Sequence, residues 1–317
     1  MPFFASPDLP VLVIGAAGVD VVGRLDSELQ PGTSTPARIR FSFGGVARNV
    51  ARNVAENLAR LGQPVKLVSA VGKGYFGGQL LNQISDAGVD VNHILRTEEP
   101  TGAYLAVLSQ GVKQFALDDM RATAALTPAY LREIYPLFKE SSLLFVDANL
   151  PETTLKTAFS LARRARLPVF ADPTSVTLAP RLQPYLPRIK MITPNSAEAA
   201  AYCNQPFEDA DQDQAAEAAK FLISQGVGIA LVTLAEFGVC YATSTTSGFI
   251  PAIRTEIIDP TGAGDALTAA VIFALLNDIP LDDAIRLGVS AASLTLRHRG
   301  AVLPDLTLEK LYSQLVI

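Results

Sequence analysis

The sequence predicts an α/β fold, with a mostly parallel central sheet, helices on both faces and a small β lid over one end. Three observations carry that reading. Short β-branched runs alternate with helical patterns along most of the 317 residues. The connections between them are short. Two segments, 19–43 and 101–120, break the rhythm with turn residues and polar alternation, as in Tyr104-Leu105-Ala106-Val107-Leu108. Alternation with short links builds a parallel sheet covered on both faces, and the two exceptional segments fit a small antiparallel patch over it.

Taken in order, Val11-Leu12-Val13-Ile14 is a continuous apolar run ending in glycine, the pattern of a strand buried on both faces. Further strands are expected at Val65–Val71, Leu143–Asp147, Pro168–Asp172, Met191–Thr193 and Ile229–Thr233. Helices are expected over Gly77–Ala87, Thr153–Ala165, Ser196–Cys203 and Gln214–Gln225. With no linker or low-complexity tract dividing the chain, residues 1–317 read as one domain with a lid.

The helix after the first lid segment is unusual. It lies in GGVARNVARNVAENLARLG, Gly44 to Gly62, which repeats Ala-Arg-Asn-Val in tandem at 47–50 and 51–54. Val46, Val50, Val54 and Leu58 recur every four residues as one stripe, and Asn49, Asn53 and Asn57 as another. Inserting four residues adds about 1.1 turns and only ~40° of rotation, so both faces survive the duplication.

Composition excludes several classes. A hydrophobic content of 49% with 18% charged residues is globular, and a net charge of −5 with no basic stripe gives no nucleic-acid partner. The most apolar run, Ala269–Leu276, falls far short of the roughly 20 residues needed to span a bilayer. MPFFASPDLP lacks a basic segment and is broken by prolines, unlike a signal peptide. The expectation is a soluble, cytoplasmic protein with no membrane partner. Cys203 and Cys240 are too few for a disulfide scaffold or zinc site and read as small apolar residues. The only histidines, His93 and His298, build no catalytic or metal cluster, and Lys73 reads as an exposed turn residue.

The chemistry concentrates in Ile257-Ile258-Asp259-Pro260-Thr261-Gly262-Ala263-Gly264-Asp265, followed by an apolar helix from Ala266 to Asn277. A glycine-bearing turn that opens a helix leaves unpaired N–H groups under a positive helix dipole, an anion site that needs no lysine. Gly262 and Gly264 let an oxyanion approach the backbone. Asp265 at that helix start is either a cap or a base that takes the proton of an attacking hydroxyl while the N–H groups hold developing charge. The second reading is a phosphoryl-transfer arrangement. No GxxxxGK[ST] segment is present, and the GxG lacks a third glycine, so neither a Walker nor a Rossmann site applies.

DPTGAGD closely resembles the signature of the ribokinase-like sugar kinases, the PfkB family, and Gly44-Gly45 with Asn49 resemble its other signature. The resemblance covers essentially the whole chain. It implies a ribokinase-like three-layer α/β/α domain and an ATP- and magnesium-dependent kinase acting on a small sugar or nucleoside. By it, Asp265 is the catalytic base, and Gly262, Ala263 and Gly264 are the anion hole for the γ-phosphate. Asn195-Ser196-Ala197-Glu198 matches the NxxE motif, with Asn195 and Glu198 at the nucleotide phosphates and Glu198 acting on Mg2+ through water, a role that suits a hard oxygen ligand. Thr233 matches a phosphate contact and Gly238 lies in the same nucleotide-binding segment. Ala235 stands where relatives have glycine. Asp259 and Thr261, with carbonyls around 295–300, match a monovalent-cation site that would hold K+.

On the sugar side, the resemblance implies Asp20, Gly44, Gly45 and Asn49 as substrate ligands. Gly18 stands where ribokinases often carry Asn. Counting from the glycines selects Asn49, whereas counting back from Leu61-Gly62 selects Asn53; the glycine side is the preferred choice. Val146-Asp147-Ala148-Asn149-Leu150, Asp172-Pro173-Thr174-Ser175, Thr101-Gly102-Ala103-Tyr104 and Asp119-Met120 look more like the pseudouridine kinase branch than ribokinase. The expected acceptor is the 5′-hydroxyl of a ribosyl compound, with a pseudouridine-like nucleoside favoured. Ribokinase, adenosine kinase, another sugar kinase or a non-catalytic nucleoside-binding protein on the same fold are the alternatives. A lid with exposed strand edges suggests a homodimer.

Overall fold

The computed structural model describes residues 8–42, 50–109 and 112–315. Thirteen strands among them form two sheets. In chain order they are β1 (Val11–Ile14), β2 (Gly18–Leu25), β3 (Ala37–Ser42), β4 (Val65–Gly72), β5 (Asp90–Thr97), β6 (Gly102–Ser109) and β7 (Val112–Asp119). There follow β8 (Leu143–Asp147), β9 (Val169–Asp172), β10 (Ile189–Ile192), β11 (Ile229–Thr233), β12 (Gly238–Thr243) and β13 (Ser247–Pro251). The helices are α1 (Val50–Arg60), α2 (Tyr75–Asp86), α3 (Pro128–Glu133), α4 (Tyr135–Lys139), α5 (Glu152–Ala165), α6 (Ser196–Cys203), α7 (Gln212–Ser224), α8 (Ala263–Leu276), α9 (Leu281–Leu296) and α10 (Leu308–Ser313).

The large sheet runs β13-β12-β11-β10-β9-β8-β1-β4-β5. β11 to β5 pair in parallel, while β12 and β13 add an antiparallel hairpin at one edge. Alternate residues of each central strand serve opposite layers, because successive side chains leave a strand on opposite faces. Val11, Val13, Leu143 and Phe145 pack with α1, α2, α8, α9 and α10. Leu12, Ile14, Leu144 and Val146 pack with α3 to α7. That double burial is why these strands read as continuous apolar runs.

The expected strands and helices of this sheet are present, with ends shifted by a residue or two. β5, β12, β13, α3, α4, α9 and α10 were not read from the sequence. β5 is half-buried at the sheet edge and carries Asp, Asn, His and Arg, so its apolar signal is weak. The β12–β13 hairpin begins at Gly238 and ends at Pro251, and both the glycine and the proline obscure its period. Short helices α3 and α4 each begin with proline near the first turn.

The second sheet, β3-β2-β6-β7, is built from the two segments that broke the rhythm. One expectation needs correcting. β2–β3 and β6–β7 are antiparallel, but the central pair β2–β6 is parallel, from Gly18 opposite Gly102 to Leu25 opposite Ser109. The sheet is therefore two hairpins joined side by side. Hairpins show their own turns in sequence, whereas a pairing across some eighty residues leaves no local trace. One face holds buried Asp20, Val22, Tyr104 and Ala106; the other carries Ile39, Phe41 and Leu117, each more than 60% exposed. No helix among the described residues is long and apolar enough to cross a membrane.

Candidate active site

Parallel strands of a covered sheet open their carboxyl ends onto a common crevice, at the point where the chain order reverses. That point is β1, between β4 and β8. The ends of β8, β9, β10 and β11 supply Asp147, Asp172, Thr193 and Thr233 to this edge, and α6 and α8 begin beside it.

Helix α8 is capped by Gly262, whose φ of +74° is left-handed. A side chain there would also meet the Ala301 backbone, with Cα 2.6 Å from an added Cβ. Gly264 is the opposite case: nothing lies within 4 Å of an added Cβ, so the backbone is open on that side. Beyond the first turn, α8 is almost wholly buried apolar surface, which fixes its axis against the sheet. The result is a rigid helix N-terminus open to an anion.

Asp265 stands in the first turn of α8. Its Oδ2 accepts a hydrogen bond from Asn53 Nδ2 at 2.7 Å. Burial pushes its pKa up to about 7; Asn53 pulls it down, Asp147 and Glu198 raise it further, and Arg52 opposes them. A carboxyl poised near neutrality is suited to accept a proton from a hydroxyl.

Two further carboxylates were quoted in the sequence only as family flavour. Asp147 is fully buried, with Oδ2 accepting from Ala16 N and Oδ1 from Asn149 N, both at 2.9 Å. Asp172 accepts from Thr174 N at 2.7 Å and from Thr193 Oγ1 at 3.3 Å. Burial, reinforced by Glu198, Asp265 and Asp147, pushes Asp172 well above the usual carboxylate range. The signal that could have found both is an aspartate closing an apolar parallel strand, since only the carboxyl end of such a strand meets ligand.

Asn195 caps α6 and forms a capping box with Glu198: Glu198 N donates to Asn195 Oδ1 at 2.9 Å, and Asn195 N donates to Glu198 Oε2 at 3.1 Å. The box satisfies both helix-start donors and holds the Glu198 carboxylate at the mouth of the crevice. Among the described residues no three His, Cys, Asp or Glu side chains converge to hold a metal ion directly.

Thr233, Gly238, Ala263 and Gly264 line one cavity of about 540 Å³, together with apolar Val239, Leu267 and Val289. Gly238 has φ +130° and no room for a Cβ, with Ala252 N 2.9 Å away. Ala235 also lines the cavity and adopts φ +45°, the left-handed conformation glycine would take without strain.

Asp259 ties the loop before α8: Thr261 N donates to Oδ1 at 3.1 Å and Gly300 N to Oδ2 at 3.3 Å. Thr261 Oγ1 is buried without a hydrogen-bond partner. The segment 295–300 lies alongside, with Ile258 N and Asp259 N both donating to Leu296 O.

Asp20 is fully buried within β2, opposite Ser42 and Tyr104. Gly44, Gly45 and Asn49 lie outside the described residues. The neighbouring asparagine that the sequence left as the other choice, Asn53, is described, and it is the one bonded to Asp265. Val54 and Leu58 are fully buried in the core, as the apolar stripe required. Lys73 is exposed and pairs with Glu98 at the surface.

A glycine-bearing helix start, a carboxyl near neutrality and an adjoining cavity suit the transfer of a phosphoryl group to a hydroxyl. Residues 9–308 match the pfkB family of carbohydrate kinases, and the chain belongs to that family. It is 31% identical to the pseudouridine kinase of Escherichia coli over 306 residues, covering 96% of this chain and 95% of that protein. It is 28% identical to the ribokinase of Haemophilus influenzae over 91% of this chain and 92% of the relative. Among solved structures, the ribokinase of Arabidopsis thaliana, complexed with ribose and ATP, superposes with a TM-score of 0.83 at 21% identity over 99% of this chain and all of that one. The fold is ribokinase-like, and the protein is a sugar or nucleoside kinase.

Proposed function

We propose that the protein transfers the γ-phosphate of ATP to the 5′-hydroxyl of a ribosyl compound, with a pseudouridine-like nucleoside as acceptor. The observation that carries the reading is Asp265, poised near neutrality in the first turn of the helix whose N-terminus opens to an anion. The preference for a pseudouridine-like acceptor rests on the 31% identity to the Escherichia coli enzyme of that name.

In this reading Asp265 accepts the proton of the acceptor hydroxyl as it attacks. The N–H groups from Gly262 to Gly264 hold the charge that develops on the transferring group. The cavity beside Thr233 and Gly238 takes the nucleotide, with Thr233 and Asn195 at its phosphates. Asp20 binds sugar hydroxyls from the lid sheet, and Gly44, Gly45 and Asn49 belong to the same acceptor subsite. The lid closes over the acceptor and excludes water, a competing nucleophile; lid and sheet work as one domain.

Asp147, Asp172, Glu198 and Asp265 gather carboxyl groups at one edge, and among the described residues none of them forms a direct metal cage. That donor set fits magnesium carried with the phosphates and held by Glu198 through water. When bound, magnesium supplies neutralisation of phosphate charge. A monovalent cation such as K+ between Asp259, Thr261 and the 295–300 carbonyls belongs to the same proposal, supported by the partnerless Thr261 Oγ1. A second copy pairing over Ile39, Phe41 and Leu117 would cover the exposed lid face and its strand edges. We place the protein in the cytoplasm.

The test is ADP release from ATP and Mg2+ over ribose, pseudouridine, adenosine, inosine and fructose. Highest kcat/KM with pseudouridine supports the full reading. Ribose or a purine nucleoside as best acceptor corrects the substrate and keeps the chemistry. Ligand-induced stabilisation with no ADP release from any of them would favour a nucleoside-binding protein on this fold.

A further inference from the structure

Arg52 and Glu56 lie one turn apart on α1, their side chains wholly buried, with Arg52 Nη2 donating to Glu56 Oε1 at 2.7 Å. Desolvating two charges costs about as much as their attraction returns, so such a pair is weak evidence for stability. Its second contact says more. Arg52 Nη1 donates to Asn53 Oδ1 at 3.2 Å, while Asn53 Nδ2 donates to Asp265 Oδ2 at 2.7 Å. An amide has one accepting end and one donating end. Turned over, Asn53 would set NH2 against the guanidinium and oxygen against the carboxylate, losing both bonds. Asn57 Nδ2 anchors the Asn53 backbone carbonyl at 2.9 Å, so the residue has little freedom except that flip.

We propose that Arg52 is a positioning residue for phosphoryl transfer: it locks the Asn53 amide so that Asp265 Oδ2 is held and Oδ1 is left for the acceptor hydroxyl. The inference rests on Asp265 acting as the base. Charge supports it from every side. Asp147 on β8 and Glu198 on α6 press on Asp265 with negative charge, and Arg52 on α1 opposes them; Asp172 on β9, beside them, is itself pushed well above the usual carboxylate range. Without Arg52, Asp265 would hold its proton to higher pH.

Arg52→Gln alone strands Glu56 in the core and can fail to fold, so the main variant is the neutral pair Arg52→Gln/Glu56→Gln. With cooperative melting retained, kcat on the alkaline plateau should fall ~10-fold or more with nucleotide KM nearly unchanged. In an Asn53→Ala background the same pair should change plateau kcat by less than about twofold, because the amide it acts through is gone. An unchanged plateau kcat, or an equal kcat loss in the Asn53→Ala background, would show that the pair only supports packing. Should the neutral pair not fold, Arg52→Lys decides: it keeps the charge but lacks the guanidinium fork, so a marked kcat loss supports the proposal and wild-type kcat overturns it. Asp265→Asn separates the two levels. If that variant still turns over, the base itself is misassigned; if it is inactive while the Arg52 variants behave as wild type, only this inference fails.

Discussion

Asn53 Nδ2 reaches Asp265 Oδ2 at 2.7 Å across 212 positions of sequence, joining α1 to the first turn of α8. The two helices pack directly on one face of the sheet. The second repeat of the tandem therefore reaches the candidate active site, where Asn53 holds one oxygen of the proposed base.

The first prediction concerns pH. Asp265 with a pKa near 7 must be ionised to accept a proton, so kcat/KM should rise with pH up to about 7 and then level. Stability runs the other way. The carboxyl is raised in the folded state, so the native protein binds more protons than the unfolded chain between the ordinary carboxylate range and about 7, and stability falls as pH rises through that window. Asp265→Asn should flatten that fall, raising Tm more at pH 8 than at pH 5. Thermal melts at the two pH values check it; a larger gain at the lower pH contradicts the sign.

The two glycines of the helix start should respond differently to the same change. Gly262→Ala forces a left-handed alanine into the Ala301 backbone and should destabilise by about 2 kcal/mol or more. Gly264→Ala meets nothing and replaces a helical glycine, so stability should hold or rise by about 0.5–1 kcal/mol. Its methyl group nevertheless occupies the space an oxyanion needs, and kcat should fall. Chemical denaturation and initial rates on both variants make the comparison.

Glu198→Gln should separate capping from ion chemistry. Glutamine still completes a capping box with Asn195, so stability should change by less than about 1 kcal/mol. The charge is lost, and half-maximal activation should need roughly tenfold more Mg2+. Titrating activity against Mg2+ at fixed ATP reads it; an unchanged requirement removes Glu198 from the cation's surroundings.

Ala235→Gly tests the strained nucleotide turn. Relief of the φ of +45° and the greater freedom of glycine in the unfolded chain are each about 1 kcal/mol and opposed. Stability should move little, while removal of a methyl from the cavity wall should lower the KM for ATP. A raised KM would show that the alanine packs against the nucleotide.

The sequence made the covered sheet legible because buried parallel strands are apolar at every position, as from Leu143 to Asp147. The helix start at Gly262 was equally plain, since the glycines and the aspartate mark a turn opening an apolar helix, although the residues before it, from 252 to 262, form a loop rather than the strand their Ile257-Ile258 pair suggests. What stayed hidden depends on distance through the chain. The parallel pairing of β2 with β6 and the convergence of Asp147, Asp172 and Asp265 follow from topology alone. The choice between Asn49 and Asn53 was ambiguous because duplicated turns present the same face. Asn53 is found at Asp265; Asn49 lies outside the described residues.

The most direct measurement is turnover of Asp265→Asn with the best acceptor of the panel, alongside its ATP affinity by calorimetry. The account predicts loss of phosphoryl transfer by ~10²-fold or more with nucleotide binding within a few-fold of wild type. Turnover within tenfold of wild type, at unchanged ATP affinity, would contradict it.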